Sequence, residues 1–462
     1  MTFLSNDTIC AIATAPGGAI GIIRVSGPIA IPIVSRICDR ITEASPPRVA
    51  ILTALTDPSN AVVIDEALVT LFPAPHSYTG EDVVELSCHG SRYILNKVLD
   101  ILIQEGCRMA NPGEFTQRAF LNGRLDLSQA EAVADLIAAT NKANHDLAMS
   151  QLRGHFSSEL SQLREHLLRL TSLLELELDF SDHEELEFAD RTELLSLANK
   201  IDTRILQLAH SFEIGQAIKH GIPVAIVGKT NVGKSTLLNA LLKDDRAIVS
   251  DIHGTTRDTI EDTIDIHGIT FRFIDTAGIR QTTDAIEQIG IDRTYAAINK
   301  ARIVLWLIDA APTDSEVTDM TARCQGRALL LVWNKSDLNP ALSKSKLSSV
   351  CCDSIATYPV IPISAKYAQN LDALESAIYK AADIPDLQDN DVIVTNARHY
   401  DALIRAHESL TRVIDGLNSQ LPSDLVAEDL RLTLAALADI TGGTITPQET
   451  LNNIFGHFCV GK

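Results

Sequence analysis

Gly228-Lys-Thr-Asn-Val-Gly-Lys-Ser235 follows the apolar run Ile222-Pro-Val-Ala-Ile-Val227 and precedes the helix-forming Thr236-Leu-Leu-Asn-Ala-Leu-Leu242. A strand, a glycine-bounded turn and a helix start are the context that a phosphate-binding loop requires. Successive backbone N–H groups and the positive end of the helix then surround a polyphosphate. Lys234 is expected at the β and γ phosphates, and the Ser235 hydroxyl on Mg²⁺. A chance Gly/Lys turn is the competing reading, and the flanking strand and helix weigh against it.

Working outward, the pattern from Gly221 onward is α/β. The apolar runs Phe271–Ile274, Ile303–Ile308, Ala328–Trp333 and Tyr358–Ile363 alternate with polar, helix-capable segments. Continuous apolar strands separated by helices predict a parallel sheet covered on both faces. Before this block, Leu160, Leu163, Leu167, Leu170 and Leu174 recur at three and four, as do Leu194, Leu197, Ile201, Ile205, Leu208 and Phe212. These stripes predict helix-packing faces. The acidic stretch at Asp182-His-Glu-Glu between them is expected to be solvated. Helical texture returns after Pro385, with Leu403, Leu410, Ile414, Leu417, Leu430, Leu434 and Leu437. Residues 1–120 mix short β-like runs, Ile20–Val25 and Val83–Ser87, with turns rich in Gly and Pro. The economical division is 1–120, a first helical half at 121–219, an inserted α/β domain at 220–381, and a second helical half at 382–462. Insertion suits a domain whose two ends lie close together.

The chain has 462 residues, too many for one core, and its 45% hydrophobic content is that of a folded protein. No apolar run approaches the ~20 residues of a membrane span, and the start lacks a signal-peptide pattern. Eight cysteines without metal-type CxxC spacing fit reduced thiols and a cytoplasmic location. The net charge of −21 excludes non-specific coating of RNA, because phosphate binding runs on neutralising Lys and Arg. Any contact with nucleic acid needs a local basic patch or a basic partner.

Asn334-Lys-Ser-Asp337 closes the strand Ala328–Trp333. A carboxylate at Asp337 accepts two hydrogen bonds from guanine N1–H and its 2-amino group, whereas adenine leaves it unpaired. Sites built on polar pairing reject the mispaired analogue strongly. Asn334 and Lys335 are expected to brace the loop and pack on the base, and Ser364-Ala-Lys366 to offer a backbone N–H to guanine O6. Asp275-Thr-Ala-Gly278 follows the strand Phe271–Ile274. Asp275 is expected to hold Mg²⁺ through water, and the Gly278 N–H to sense the γ-phosphate. Thr256, in Gly254-Thr-Thr-Arg-Asp258, is the candidate switch threonine expected to supply the second Mg²⁺ hydroxyl. Each short motif alone reads as an ordinary turn; four in this order read as a GTP site.

Ile279 stands where Ras-like GTPases carry the glutamine that orients attacking water. Isoleucine cannot hydrogen-bond water, so another group must. Asp284 and Glu287 are the acids downstream. Glu287 would position water directly or through a second water, and a solvated helix carboxylate is its plain alternative. No arginine finger is identifiable, while the Asn231 side-chain carbonyl suits a monovalent cation beside the phosphates.

These residues resemble the bacterial tRNA-modifying GTPase family called MnmE or TrmE. The likeness spans the chain through Gly21-Ile-Ile-Arg-Val-Ser-Gly27, Ser77-Tyr-Thr-Gly-Glu-Asp-Val-Val-Glu85, His89-Gly90 and Asn111-Pro-Gly-Glu-Phe-Thr-Gln-Arg-Ala-Phe-Leu-Asn122. It continues in Leu125–Leu136, the GTPase motifs, Ile289-Gly-Ile-Asp-Arg293 and the final Phe458-Cys-Val-Gly-Lys462. The resemblance implies a multidomain α/β and α protein. Its parts are an amino-terminal α+β folate-binding and dimerising domain, a discontinuous helical domain, and an inserted Ras-like P-loop GTPase domain. It further implies a homodimer activated by K⁺, working with an FAD-bearing partner, MnmG (also called GidA), as a heterotetramer. Together they install an aminomethyl or carboxymethylaminomethyl group at C5 of the wobble uridine of certain tRNAs. The one-carbon unit comes from a tetrahydrofolate derivative, the 5,10-methylene or 5-formyl form.

Carried onto this chain, the GTP-binding positions are Asn231, Val232, Gly233, Lys234, Ser235 and Thr236; Ser250, Asp251, Ile252, His253, Gly254, Thr255 and Thr256; Asp275, Thr276, Ala277 and Gly278; Asn334, Lys335, Ser336 and Asp337; and Ser364, Ala365 and Lys366. Asn231, Ser250, Ile252 and Thr255 would ligate K⁺, Ser235 and Thr256 Mg²⁺, and Glu287 would be the catalytic acid. Arg24, Glu85, Arg124 and Lys462 match the folate positions, where a carboxylate pairs with pterin N–H donors and cations attract the anionic glutamate tail. Pro16-Gly-Gly-Ala19 is shorter than the family's glycine loop, and Arg124 replaces its frequent lysine. Cys459 falls near the folate in this pattern; a buried inert thiol is the alternative, and the tail does not fit prenylation. Two other function classes compete. A regulatory switch binding ribosomes or RNA has no use for the folate-like strings, and a degenerate scaffold has none for intact GTPase motifs.

Overall fold

The computed structural model describes residues 7–15, 17–179, 191–243, 262–274, 295–338, 360–384, 392–443, 451, 454–456, 458 and 461, with side chains except at 175–179 and 243. The chain forms two compact units. One comprises Met1–Ala138, Ala148–Leu206 and Asp401–Lys462, and the other Ala139–Leu147 and Gln207–Tyr400.

The first unit begins with β1 (Ile9–Ile12), β2 (Ile20–Ser26), α1 (Ala30–Ile37), β3 (Ile51–Asp57), β4 (Val62–Phe72), β5 (Val83–His89), α2 (Arg92–Gln104) and β6 (Arg108–Met109). The strands form one sheet in the order β3-β4-β5-β2-β1-β6, antiparallel except for the parallel β1–β6 pair. Alternation sorts the residues of β2 and β5 onto two faces. Ile23, Val25, Val84, Leu86 and Cys88 join a core built with α1 and α2. Arg24 and Glu85, directly opposite one another, lie on the other face. There Ile9 and Ala11 of β1 pack with Ala110, Phe115 and Tyr78.

Helices α3 (Glu114–Leu121), α4 (Leu127–Ala138), α5 (Lys142–Leu152), α6 (His155–Asp179) and α7 (Arg191–His220) follow. The leucine stripe of α6 is buried at Leu160, Leu163, Leu167, Leu170 and Leu174. On α7, Leu194, Ala198, Ile201, Ile205 and Leu208 are buried. Leu197 is only half-buried, because Ala198 takes the inward position of that turn.

The second unit carries β7 (Ile222–Val227), α8 (Lys234–Lys243), β8 (Asp262–Ile266), β9 (Ile269–Phe273), β10 (Ile303–Ile308), α9 (Asp314–Arg323), β11 (Ala328–Trp333), β12 (Val360–Pro362) and α10 (Leu371–Ala381). Its sheet order is β12-β11-β10-β7-β9-β8, parallel except for the β8–β9 hairpin. Both faces are covered, as the unbroken apolar strands require. Val224, Ile226, Leu305, Leu307 and Val332 face a core with α8 and α10. Ala225, Val227, Val304, Trp306, Leu331 and Trp333 face a second core with Val317 of α9. Asn141 donates to the Thr270 hydroxyl at 2.6 Å, and the Ala143 N–H to the Gly268 carbonyl at 3.1 Å, fixing the start of α5 on this unit's hairpin turn.

The remaining helices are α11 (Ala397–Asn418) and α12 (Ser423–Thr441), and α12 packs on α6 in the first unit. Leu403, Leu410, Leu417, Leu430 and Leu437 are buried there, whereas Ile414 and Leu434 are half-exposed beside buried Val413 and Thr433. No described helix is long and apolar enough to cross a membrane.

Candidate functional site

The parallel sheet delivers the phosphate loop at the carboxyl end of β7, the edge where α/β sheets bind ligands. Three loop residues have positive φ: Gly228 (154°), Asn231 (61°) and Gly233 (97°). The turn they build presses directly on its supports. A Cβ at Gly228 would lie 2.3 Å from the Leu307 carbonyl oxygen of β10, and one at Gly233 2.3 Å from Asn334 Nδ2. Only glycine fits both the backbone conformation and the space. The loop ends in the first turn of α8, so unpaired N–H groups and the positive end of the helix face outward together.

Lys234 Nζ donates to the carbonyls of Gly228 and Lys229, both at 2.7 Å. Its ammonium is thus held over the loop, with a pKa lowered by burial. Ser235 is half-buried and Thr236 exposed on the same turn, and Asn231 is exposed at the lip. Lys229 pairs with Glu316 at 2.6 Å. Glu316 also closes the capping box of α9 with Thr313, and these bonds hold its carboxyl below the usual glutamate range.

The second wall comes from the ends of β11 and β12. Buried Asn334 donates through Nδ2 to the Val232 carbonyl at 2.7 Å, and its Oδ1 accepts from the Ala365 N–H at 3.0 Å. One carboxamide therefore joins the phosphate loop to the Ser364 turn. Lys335, with φ 58°, donates to the Asn231 carbonyl at 3.0 Å and to Asp309 Oδ2 at 2.7 Å. Ser336 and Asp337 lie in a short 3-10 turn, and the Ser364 hydroxyl donates to Asp337 Oδ1 at 2.6 Å. In the Ser364-Ala-Lys366 stretch, the Ser364 N–H goes to the Gln369 carbonyl and the Ala365 N–H to Asn334. Among the described residues, the Lys366 N–H is the one of these three left to a ligand.

The arrangement offers the N–H groups of a helix start and a lysine for phosphates, a hydroxyl for a hard cation, and an oriented carboxylate for a base with paired donors. Asn231, Val232, Gly233, Lys234, Ser235, Thr236, Asn334, Lys335, Ser336, Asp337, Ser364, Ala365 and Lys366 converge on this edge. Ser250, Asp251, Ile252, His253, Gly254, Thr255, Thr256, Asp275, Thr276, Ala277, Gly278, Ile279, Asp284 and Glu287 lie outside the described residues. Asp309 and Glu316 were not anticipated. Asp309 directly follows the apolar run of β10, and an acid at the carboxyl end of a central parallel strand is the available signal.

A second polar cluster lies on the face of the first unit's sheet opposite α1 and α2. Arg24 Nε and Nη2 donate to Glu85 Oε1 at 3.0 and 2.8 Å, and Nη1 approaches the Gly461 carbonyl at 3.5 Å. The Arg24 guanidinium also sits 5.5 Å from the Tyr78 ring centre and 5.7 Å from that of Phe115. Gly461 is packed so closely on β1 that a Cβ would lie 2.4 Å from the Ile12 carbonyl. The carboxyl-terminal tail therefore reaches Arg24. Arg124 packs over Gly80, 3.2 Å from where a Cβ would stand there. Cys459 and Lys462 lie outside the described residues. Beside this cluster, Arg118 bridges Asp7, Glu81 and Glu114, and Ser26 donates to Glu81 at 2.7 Å.

Comparisons with known proteins cover the same ground. A family profile described as the MnmE helical domain matches residues 127–459, and one described as the GTP-binding protein TrmE N-terminus matches residues 8–124. The chain is 53% identical to the tRNA modification GTPase MnmE of Phocaeicola vulgatus, over 100% of both chains. It is 54% identical to the protein of that name from Bacteroides thetaiotaomicron, over 99% of this chain and 100% of the relative. Among solved structures, the G domain of the T. maritima FeoB iron transporter matches at 22% identity and a TM-score of 0.26, covering 35% of this chain and 98% of that one.

Proposed function

This chain belongs to the MnmE family of tRNA modification GTPases, and from that premise we propose that it is a K⁺-activated GTPase supporting C5 modification of the wobble uridine in certain tRNAs. The observation that carries the nucleotide part is Asp337, whose carboxylate is oriented by the Ser364 hydroxyl beside the braced phosphate loop. An oriented carboxylate accepts from guanine N1–H and the 2-amino group, and the free Lys366 N–H suits guanine O6. Lys234 and the loop N–H groups bind the phosphates.

The donors fit the ions expected here: the half-buried Ser235 hydroxyl at the loop end and the exposed Asn231 carboxamide at its lip are hard oxygen ligands. Ser235 and Thr256 would hold Mg²⁺, and Asn231, Ser250, Ile252 and Thr255 would hold K⁺. When bound, these ions offset the negative charge on the phosphates, the task an arginine finger performs elsewhere. Glu287 positions the attacking water, directly or through a second water, because Ile279 has no polar atom to do so. Pairing of the GTPase domains across a homodimer completes both sites, and the resulting conformational cycle supports the modification.

The modification chemistry rests on the other unit and on a partner. Arg24, Glu85, Arg124 and Lys462 bind a tetrahydrofolate derivative, in the 5,10-methylene or 5-formyl form. The fit lies in the Arg24–Glu85 pair, which sets an acceptor and a cation against the rings of Tyr78 and Phe115, with the tail at Gly461 alongside. Among the described residues, Glu85 Oε2 accepts from no group and remains for pterin N–H donors. Cys459 would sit by the folate. MnmG supplies FAD and completes a cytoplasmic heterotetramer that acts on tRNA to add the aminomethyl or carboxymethylaminomethyl group. The three-domain division at 120, 219 and 381 belongs to the same reading. Its test is GTP turnover in K⁺ and in Na⁺ at equal ionic strength, with nucleoside analysis of tRNA from cells lacking the chain. Equal turnover in both cations ends the K⁺ mechanism, and an unchanged wobble uridine ends the substrate assignment.

A further inference from the structure

The loop that would read the base and the loop that would hold the phosphates are tied through two motif residues, Lys335 and Asn231, and one acid outside the motifs, Asp309. Asp309, at the carboxyl end of β10, accepts from Lys335 Nζ at 2.7 Å, and the same ammonium donates to the Asn231 carbonyl at 3.0 Å. Both non-glycine residues at the ends of the Lys335–Asn231 link have left-handed backbones, with φ 58° at Lys335 and 61° at Asn231. Such conformations persist only where surrounding bonds hold them. Lysine is a flexible four-carbon arm with a point charge, so its direction is set by what receives its protons. Asp309 is the acid that receives one.

We propose that Asp309 is a positioning residue of the nucleotide site: it aims the Lys335 ammonium at the Asn231 carbonyl and so locks the phosphate loop to the base-reading loop. This rests on the reading that a guanine nucleotide occupies that edge. Among the described residues the side-chain bond of Asp309 goes to Lys335, so its effect on the phosphate loop passes through Lys335. The pair is partly solvated, with side-chain exposures of 35% for Asp309 and 38% for Lys335, which keeps the expected effect moderate.

The experiment follows release of a fluorescent GDP analogue from the full-length chain by stopped flow, beside thermal unfolding of the nucleotide-free protein. Asp309→Asn keeps the shape and removes the charge. It is expected to speed release about fivefold, equivalent to roughly 1 kcal/mol, with the melting temperature of the free protein unmoved. Asp309→Glu, which restores the charge, should bring release back to within about twofold of the parent. Asp319→Asn, a charge loss on the exposed face of α9, should leave release unchanged. The proposal is overturned if Asp309→Asn releases at the parental rate, if Asp319→Asn matches its acceleration, if Asp309→Glu fails to restore the rate, or if Asp309→Asn lowers the melting temperature enough to mark a folding defect. Turnover indifferent to K⁺ would sink the K⁺ mechanism alone, and failure of the parent chain to bind the GDP analogue would sink the nucleotide reading itself.

Discussion

The Asn334 carboxamide donates to the Val232 carbonyl at 2.7 Å across 102 residues of chain, and its other end accepts from Ala365. Asn334→Ala leaves two buried backbone groups without partners, each costing about 1–3 kcal/mol. The expected outcome is a rise in the GDP dissociation constant of at least about thirtyfold, read by titration calorimetry. Asn334→Asp is a sharper test, since it keeps the acceptor for Ala365 but turns the donor toward Val232 into a repelled oxygen.

Asp337→Asn replaces one of two acceptors facing the base with a donor. GTP affinity should fall about a hundredfold or more, as when a polar site loses its matched partner. Xanthosine triphosphate carries a carbonyl where guanine has its amino group, so it should gain affinity in the same variant. A parallel loss for both nucleotides would point to collapse of the Ser364 turn instead.

Glu287→Ala should lower kcat by two orders of magnitude or more while the GTP dissociation constant moves less than about threefold, the pattern of a group acting only on the reacting water. Steady-state turnover and equilibrium binding on one preparation check this. Equal losses in both would assign Glu287 a structural part.

Arg24→Ala removes a cation and frees Glu85 from its ion pair. Calorimetry with 5-formyltetrahydrofolate should show binding weakened at least about tenfold, the scale of one lost charge-assisted bond. Basal GTP turnover should be unaltered.

Glu114 offers a pH test. Burial pushes its carboxyl upward, but bonds and charge from Arg108, the Asn111 N–H and Arg118 outweigh this, leaving it below the usual 4.5. Asp7, joined to the same two arginines, is likewise held below its usual 3.8. A depressed carboxylate lends stability that is complete above the unfolded value and is lost as pH falls through the folded one. The melting temperature should therefore hold from neutrality to about pH 5 and drop steeply below pH 4.5. Glu114→Gln should lose about 2 kcal/mol near neutrality, the scale of charge-assisted bonds lost while Arg108 keeps Asp7 and Arg118 keeps Asp7 and Glu81, and should show a flatter acid limb.

The second unit was largely legible because each strand is buried on both faces and so reads as an unbroken apolar run. Ile222–Val227, Ile303–Ile308 and Ala328–Trp333 are strands over the lengths expected. The first unit was less so. Its hairpin β3–β4 escaped notice because Leu52, Val62, Val63 and Leu68 are exposed, blurring the alternation that marks a half-buried strand. Helical stripes were right in period but slipped at single positions, where Ala198 and Val413 turn inward instead of Leu197 and Ile414. Within the nucleotide edge, short motifs revealed which loops meet, but Asp309 and Glu316 belong to no motif. Their roles arise from strand order and helix capping, which bring distant residues together only after folding.

Gly228 rests on the Leu307 carbonyl with no space for a methyl group, and this has a genetic corollary. Every single-base change at the first two positions of a glycine codon either adds a side chain or stops translation. Codon 228 therefore offers no step to a residue that fits, and a lineage under selection cannot reshape the phosphate cradle from that position. Resistance to a compound seated in the cradle would fall instead to the exposed lip, at Thr230, where a change of residue meets solvent and not the sheet.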